Sequence, residues 1–405
     1  MIVYHPLSFW KDKKILLGVT GGIAAFKAVS LASYLVKAGA IVTVCMTQHA
    51  QKLVGKSTFE AITGRRVYDD LFEGEGNIVH ISLARENQCI VIVPATANIV
   101  GKVANGIADD LLSTLVLVAP RQVVVAPAMN VDMWRNPIVQ ENIKRIEEKG
   151  MQVIPPDSGI LACGEVGTGR LKEVEDLVEE IFYRLYVPKK LCRKRVLVTA
   201  GATREWLDAV RFISNPSSGL MGCALASMAR ALGGEVKVIM ASSSVRFPSG
   251  IAVERVETVS EMQEALKRAF PSCDILLMNA AVSDFQCPTP FPSKIKKEGR
   301  ESFSLSLVPA PDLLSSITPH KGEKIVVGFC AETEDLLNEA RRKLKNKNLD
   351  MIVANRITKG ESGFETPTSQ AWVVDRKGNE IEFPLLDKRD LAEEILVHLV
   401  RTFFE

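Results

Sequence analysis

The sequence predicts an α/β protein made of two doubly wound, Rossmann-like parallel-sheet domains in tandem. Three observations predict it. Short apolar, β-branched runs alternate with amphipathic stretches along the whole chain. Those runs are apolar at consecutive positions, as in strands buried on both faces. The pattern also starts twice with the same opening, a strand running into a glycine turn, at KKILLGVTGG (13–22) and at RVLVTAGAT (195–203).

The elements follow in order. KKILLGV (13–19) is a predicted strand, with a helix over 23–37 after its glycine turn. IVTVCM (41–46), CIVIVP (89–94) and QVVVAP (122–127) are further strands, bounded by proline or glycine. VPKKLCRKR (187–195), with five basic residues in nine, reads as a solvated linker. It sets the boundary near residue 190, so the domains are 1–190 and 191–405. After the second opening come a helix over 219–232 and strands at EVKVIM (235–240), DILLMN (274–279), EKIVVGF (323–329) and DMIVAN (350–355). AWVVDR (371–376) and NEIEFPL (379–385) alternate around Lys377 and Gly378, which predicts a hairpin. A helix over 388–404 closes the chain.

Composition narrows the function classes. The 405 residues are 47% hydrophobic and 24% charged, the profile of a globular protein and not of a disordered one. Fifty Lys+Arg against 48 Asp+Glu leave a net charge of +2, too little field to select nucleic acid or an anionic membrane. The most apolar stretch, Leu111 to Val131, is broken by Pro120, Arg121, Gln122 and Pro127, so no bilayer span is expected. The start lacks a secretory apolar core. Eight cysteines without a CxxC pair read as reduced thiols packed in the core, Cys163 excepted, which implies a cytoplasmic protein. No GxGxxG stands at either strand–helix turn, which argues against a nicotinamide dehydrogenase.

In the first half, four segments carry chemistry. TGGIAAFK (20–27) lets the backbone at Gly21, Gly22 and Ile23 approach a phosphate, although a tight structural turn explains it equally. PATAN (94–98) places Pro94, Thr96 and Asn98 at the carboxyl end of a buried strand. PAMNVDMW (127–134) joins the Asn130 amide, a donor for a carboxylate, to an apolar wall of Met129, Met133 and Trp134. SGILACGEVGTGRL (158–171), with four glycines in fourteen residues, reads as an irregular, mobile flap carrying Cys163. His80, in NIVHISLA, is a further candidate, though a lone histidine is more often structural.

These motifs together resemble those of the FMN-dependent cysteine decarboxylases over the first 190 or so residues. The resemblance implies 4′-phospho-N-pantothenoylcysteine as substrate and FMN as cofactor, bound by Gly21, Gly22, Ile23, Thr47, Pro94, Thr96, Asn98 and Met129. It implies oxidation of the cysteine sulfur by the flavin, which eases loss of CO₂ by providing an electron sink. It also implies that His80 is the active-site base, that Asn130 binds the substrate carboxylate and that Cys163 donates a proton.

In the second half, TAGATREWLDAVRFISNPSSGLMG (199–222) is the densest polar segment. Asn215, Ser217, Ser218 and Gly219 at a predicted helix start suit an anion. Arg211 offers a fork for a carboxylate or phosphate, and an N-cap with a surface ion pair is the plain alternative. NAAVSDF (279–285) ends a strand with Asp284 where a ribose would lie. PTPFPSKIKK (288–297) reads by itself as a solvated loop, and Lys294 would reach a triphosphate if the loop orders over one. VGFCAET (327–333) offers Phe329 for stacking on a base.

This half resembles phosphopantothenate–cysteine ligase. The resemblance implies that CTP, with Mg²⁺, activates 4′-phosphopantothenate as an acyl-cytidylate, which L-cysteine then attacks. Ala280, Asp284, Lys294, Phe329, Lys343 and Lys347 would contact CTP, and Pro311, Asp312, Leu313 and Leu314 would line the nucleotide. Asn215 would serve acyl-cytidylate turnover and Arg211 would hold substrate. Leu220, Ala209 and Ser283 depart from the usual pattern at positions with no assigned role. The whole chain thus resembles the bifunctional bacterial enzymes of coenzyme A synthesis. That implies a homo-oligomer, with trimers of the first half and dimers of the second combining into a dodecamer. The alternative is a flavin-binding regulator without turnover, in which the flap cysteine or the histidine would be lost; both are present here.

Overall fold

The computed structural model describes residues 3–405 apart from 73–77, 163, 248–249, 297–301, 333–334, 359, 361 and 364. The chain forms two compact units, the first over 7–185 and the second over 186–405, joined in the second by residues near the start, up to Pro6. Tyr4 belongs there, donating from its hydroxyl to the Arg246 carbonyl and stacking on Phe247.

The first unit holds six strands in one sheet: β1 (Lys14–Val19), β2 (Ile41–Met46), β3 (Val67–Tyr68), β4 (Cys89–Ala95), β5 (Val123–Pro127) and β6 (Gln152–Val153). All pair in parallel, in the order β3-β2-β1-β4-β5-β6. Its helices are α1 (Ala25–Lys37), α2 (Gln48–Gln51), α3 (Lys56–Thr63), α4 (Val79–Glu86), α5 (Ala97–Asn105), α6 (Leu111–Val118), α7 (Val131–Arg135), α8 (Pro137–Glu148) and α9 (Val174–Leu185). Every residue of β4 and β5 is buried, which explains their unbroken apolar runs. One core packs the sheet against α4, α5, α6 and α8; α1 packs on α3 and α9. The apolar stretch from Leu111 is an eight-residue helix, opened by an Asp110–Ser113 capping box, followed by β5. Among the described residues no helix is long and apolar enough to cross a membrane.

The flap differs from expectation. Two strands within this run, β7 (Asp157–Ile160) and β8 (Val166–Arg170), pair antiparallel, with a shift of register between Asp157 and Ser158. Two of its glycines serve close packing: a Cβ on Gly167 would meet Val131, and one on Gly169 would run into the Met129 carbonyl oxygen. Gly167 and Gly169 thus reflect close backbone approach within a paired strand, while Gly164, at φ +87° with open space around it, serves the turn.

The second unit holds β9 (Arg195–Ala200), β10 (Arg204–Trp206), β11 (Phe212–Ser214), β12 (Glu235–Met240), β13 (Ala252–Arg255), β14 (Ile275–Met278), β15 (Phe285–Gln286), β16 (Val308–Pro309), β17 (Ile325–Glu332), β18 (Met351–Arg356), β19 (Thr368–Asp375) and β20 (Glu380–Asp387). The main sheet runs β13-β12-β9-β14-β17-β18-β19-β20. Its first six strands are parallel, and the hairpin β19–β20 extends the same sheet antiparallel. Asp375 makes that turn by accepting from the backbone N–H of Lys377 (2.9 Å) and Asn379 (3.1 Å), with Gly378 at φ +90°. Helices α10 (Leu220–Ala231), α11 (Val259–Ala269), α12 (Leu313–Ile317), α13 (Leu336–Asn346) and α14 (Lys388–Phe404) complete it. A core packs the sheet on α11, α12 and α13, while α10 packs on α14.

Two expectations change here. The basic run at 187–195 is not simply solvated: Lys189 donates to the Ala231 carbonyl (2.6 Å), Lys190 pairs with Glu405 (2.9 Å) and Arg195 with Asp274 (3.1 Å). Nor are all cysteines outside the flap core residues. Cys45, Cys89, Cys223 and Cys273 are buried, but Cys192, in a turn, is exposed, and Cys287, just after β15, and Cys330, where β17 borders a cavity, are half-buried.

Candidate functional sites

In both sheets the strand order reverses beside the first strand, between β1 and β4 and between β9 and β14. Crevices at the carboxyl ends of such strands are where doubly wound sheets bind ligands. The candidate residues cluster there.

In the first unit, Thr20 at the end of β1 donates to the Pro94 carbonyl (2.6 Å) and stands 3.3 Å from the Thr96 hydroxyl. The Thr96 N–H returns a bond to Thr20 (3.1 Å). The Gly21–Gly22 turn is thereby fixed against the start of α5. Thr96 is the N-cap of α5 but no side chain caps that helix, and Asn98 is exposed in its first turn. A Cβ on Gly21 would collide with His49, and one on Gly22 would meet Pro94 (3.3 Å). Thr47 joins the group by accepting from Ala50 and opening α2. This narrow cradle of small residues, with backbone donors at a helix start, fits the phosphate end of a flavin. His49, which no motif flagged, borders it; its signal was only that it follows Thr47 by two residues.

At the end of β5, Ala128 donates to the Ala95 carbonyl and Met129 to the Gly169 carbonyl, both at 3.0 Å. The hairpin is so bound to the PAMN turn. Asn130 is the N-cap of α7; its carbonyl oxygen accepts from the Asp132 N–H (2.8 Å), and its amide nitrogen donates to a Glu165 carboxylate oxygen (2.6 Å). The cap fixes which way the amide faces. The hairpin base is tied by Lys172 to Asp157 (2.9 Å) and by Lys27, which donates to the Leu171 carbonyl (3.0 Å) and pairs with Glu173 (3.1 Å). Cys163 lies outside the described residues. His80 lies in the first turn of α4, half-buried, and its buried Nδ1 has no hydrogen-bond partner among the described residues.

Ile23 and Phe26 are exposed at the start of α1, as are Met133, Ile160 and Val166 around the PAMN turn and hairpin.

In the second unit a cavity of about 510 Å³ opens at the carboxyl ends of β14 and β17. It brings together Asn215, the Ser217–Gly219 turn, Ala280, Asp284, Pro311 to Leu314, Phe329, Lys343 and Lys347. Gly219, at φ +83°, opens α10 with no side-chain cap. A side chain there would strike Ser243 at 2.6 Å. Asn215 donates to the Val282 carbonyl (3.0 Å), so its segment is held to the end of β14. Lys347 pairs with Asp312 (3.3 Å) and Lys343 with Glu332. Leu220 lines the cavity with an apolar side chain, and Ser283 is fixed by the Thr203 hydroxyl (3.0 Å).

Arg211 and Lys294 do not line this cavity. Arg211 pairs with Asp208 (2.8 Å) and donates to the Ile295 carbonyl (3.0 Å). Lys388, which no motif flagged, does line it. Its ammonium is buried, donates to the Gly363 carbonyl (2.7 Å), and is pushed down to about 8 by burial. The burial of Cys330 beside the same cavity pushes its thiol up to about 11, so it is not a nucleophile there. Among the described residues no three His, Cys, Asp or Glu side chains group as a metal site.

Comparison with known proteins matches both units. The family described as Flavoprotein matches residues 7–186, and that described as DNA/pantothenate metabolism flavoprotein C-terminal domain matches 191–403. The coenzyme A biosynthesis bifunctional protein CoaBC of Bacillus subtilis is 42% identical over 390 residues, covering 95% of this chain and 96% of that protein. The Vibrio cholerae protein of the same name is 39% identical over 394 residues, covering 96% and 98%. A crystal structure of the C-terminal domain of a CoaBC protein aligns at 32% identity and a TM-score of 0.46, over 53% of this chain and 98% of that one.

Proposed function

The chain belongs to the bifunctional coenzyme A biosynthesis proteins, enzymes that join a flavoprotein decarboxylase to a ligase, and we propose that it makes 4′-phosphopantetheine in two steps. Residues 191–405 couple L-cysteine to 4′-phosphopantothenate at the expense of CTP. Residues 1–190 then decarboxylate the product with FMN.

The observation that carries the ligase step is the second cavity, which gathers a helix start, an aromatic ring and two lysines from segments more than a hundred residues apart. On this reading Lys343, Lys347 and Lys294 hold the triphosphate, Phe329 stacks on the base and Asp284 takes the ribose. Mg²⁺ would accompany the nucleotide and offset the charge of the triphosphate, which is too high to bind bare. The substrate carboxylate attacks the α-phosphorus and pyrophosphate leaves. The cysteine amine then attacks the acyl carbon and CMP leaves. Asn215 acts at that acyl centre, and Arg211 serves substrate binding.

For the decarboxylase step, the bound FMN supplies the electron sink that makes C–C cleavage easy. Gly21, Gly22, Ile23, Thr47, Pro94, Thr96, Asn98 and Met129 hold it. Asn130 holds the departing carboxylate through a neutral amide, which does not over-stabilise the ground state as a cation would. The partnerless Nδ1 of His80 supports its reading as the base. Cys163, two residues from Glu165 on the flap, is the proton donor. The exposed apolar side chains around the hairpin support self-association of this half, consistent with trimers in a larger assembly. Cytoplasmic location follows from the pathway role.

The test is direct. The purified chain, with CTP, cysteine, 4′-phosphopantothenate and Mg²⁺, yields a product of the mass of 4′-phosphopantetheine and carries a flavin spectrum. A colourless protein that stays colourless after soaking in FMN would refute the decarboxylase reading. Cys163→Ser abolishes CO₂ loss while the acylated cysteine accumulates.

A further inference from the structure

Residues 3–6 precede the first strand of the first unit yet belong to the second. Neither family match includes them: one starts at residue 7 and the other at 191. Val3, Tyr4, His5 and Pro6 are all buried. A tyrosine with 3% of its surface exposed needs a partner for its hydroxyl. The Tyr4 hydroxyl donates to the Arg246 carbonyl and lies within hydrogen-bond reach of the Cys223 thiol, which is fully buried on α10. The Tyr4 ring stacks on Phe247, with centroids 6.4 Å apart and planes inclined by 24°. One side chain thus ties α10 to the segment at 246–247.

Both anchors lead to the second cavity. The Cys223 N–H donates to the carbonyl of Gly219 (3.1 Å), and Gly219, Leu220 and Met221 line the cavity. The 243–247 segment braces the turn just ahead. The Ser218 carbonyl accepts from the Ser243 hydroxyl (2.9 Å) and from the Ser244 N–H (3.2 Å). The Ser243 oxygen accepts in turn from the N–H of Val245 (3.2 Å), the neighbour of Arg246. Ser217, Ser218 and Gly219 lie outside any helix or strand, so no ladder of their own fixes them. A turn that must meet a charged ligand serves best when already in place, because ordering it on binding costs affinity. We infer that Tyr4 is a positioning residue for this cavity: it clamps 246–247 against α10, and that segment, through Ser243 and Ser244, holds the Ser217–Gly219 turn in the shape that receives a phosphate group of a substrate. This rests on the ligase reading given above and deepens it.

Tyr4→Phe in the full chain keeps the buried ring and removes the hydroxyl alone. Amide exchange, measured without ligands, is expected to rise in 217–221 and 243–247, with β9, β12, β14 and β17 protected as before. The KM for CTP or for 4′-phosphopantothenate rises about threefold, the scale of one neutral hydrogen bond, while kcat, the flavin spectrum and decarboxylation are unchanged. A rise for CTP places the triphosphate on the turn, and a rise for 4′-phosphopantothenate places that substrate's phosphate there. Ser243→Ala removes the link between brace and turn, so it is expected to move the same KM, and the two substitutions together give less than the product of their separate effects. Exchange left unchanged in 217–221, or raised throughout the second unit, overturns the positioning role. So does a KM unchanged for both substrates, or fully additive effects of the two substitutions. A chain that consumes no CTP refutes the ligase reading instead, and the ligand-free exchange then decides the brace alone.

Discussion

The amide nitrogen of Asn130 donates to a carboxylate oxygen of Glu165 across 2.6 Å, joining the turn after β5 to the flap hairpin. The Asp132 N–H holds the other end of the amide, so its NH₂ cannot turn away without losing the helix cap. The PAMN turn therefore presents a fixed donor to a carboxylate, and the flap supplies one. On the proposed function, a substrate carboxylate takes the place of Glu165 on the Asn130 amide, and its entry is coupled to the position of the flap.

Asn130→Asp places a second carboxylate where the first must bind. Decarboxylation is expected to fall about 100-fold or more, the usual scale for losing one oriented donor. The flavin spectrum and ligase rate stay as they were. Turnover within a few-fold of the unaltered chain in a CO₂-release assay would remove Asn130 from the carboxylate site.

Gly169→Ala tests the packing of the hairpin. Its Cβ would meet the Met129 carbonyl oxygen, a backbone atom that cannot swing aside, at a φ of +155°. The hairpin must lift from the PAMN turn, so decarboxylase activity is lost while the ligase assay is unchanged. A fully active variant would show that the hairpin is free of that turn during catalysis.

Lys388→Met tests the buried amine. In the folded chain the ammonium is pulled from 10.5 down to about 8. The unfolded chain therefore binds the extra proton between those values, and stability rises with pH through that window. Below about pH 8 the whole cost of burying the charge is present. The methionine variant is expected to gain melting temperature over the unaltered chain at pH 7, and to lose that advantage near pH 10. A gain of equal size at both pH values, by calorimetry, would contradict the burial argument.

Asp350→Ala breaks a buried ion pair. Asp350 accepts from Lys321 (2.7 Å) and from the Val326 N–H (2.7 Å), and Arg376 also pairs with it. Both Asp350 and Lys321 are buried. Stranding the lysine is expected to cost about 3–5 kcal/mol, read as a lower urea midpoint for the second unit. A midpoint shift worth under about 1 kcal/mol would place these charges in the class of weak surface pairs.

The long buried strands were legible because burial on both faces demands apolar side chains at every position, a pattern visible over six residues. The pairing of β7 with β8 was not, because it rests on Gly167 and Gly169 lying against Val131 and Met129, residues of another segment. His49 and Lys388 were missed for the same reason: nothing beside them in the chain differs from an ordinary surface residue, and only the fold brings one against Gly21 and the other into the second cavity.

By itself the sequence determined the α/β class, the two successive openings and the polar segments at the ends of buried strands, since each of these is written within a few consecutive residues. The tertiary structure alone decided which of those segments meet: Gly21 with His49, Asn130 with Glu165, Ser218 with Ser243. Those meetings depend on closing loops tens of residues long, and the choice among closures is made by packing and hydrogen bonding between distant residues, on which local periodicity is silent.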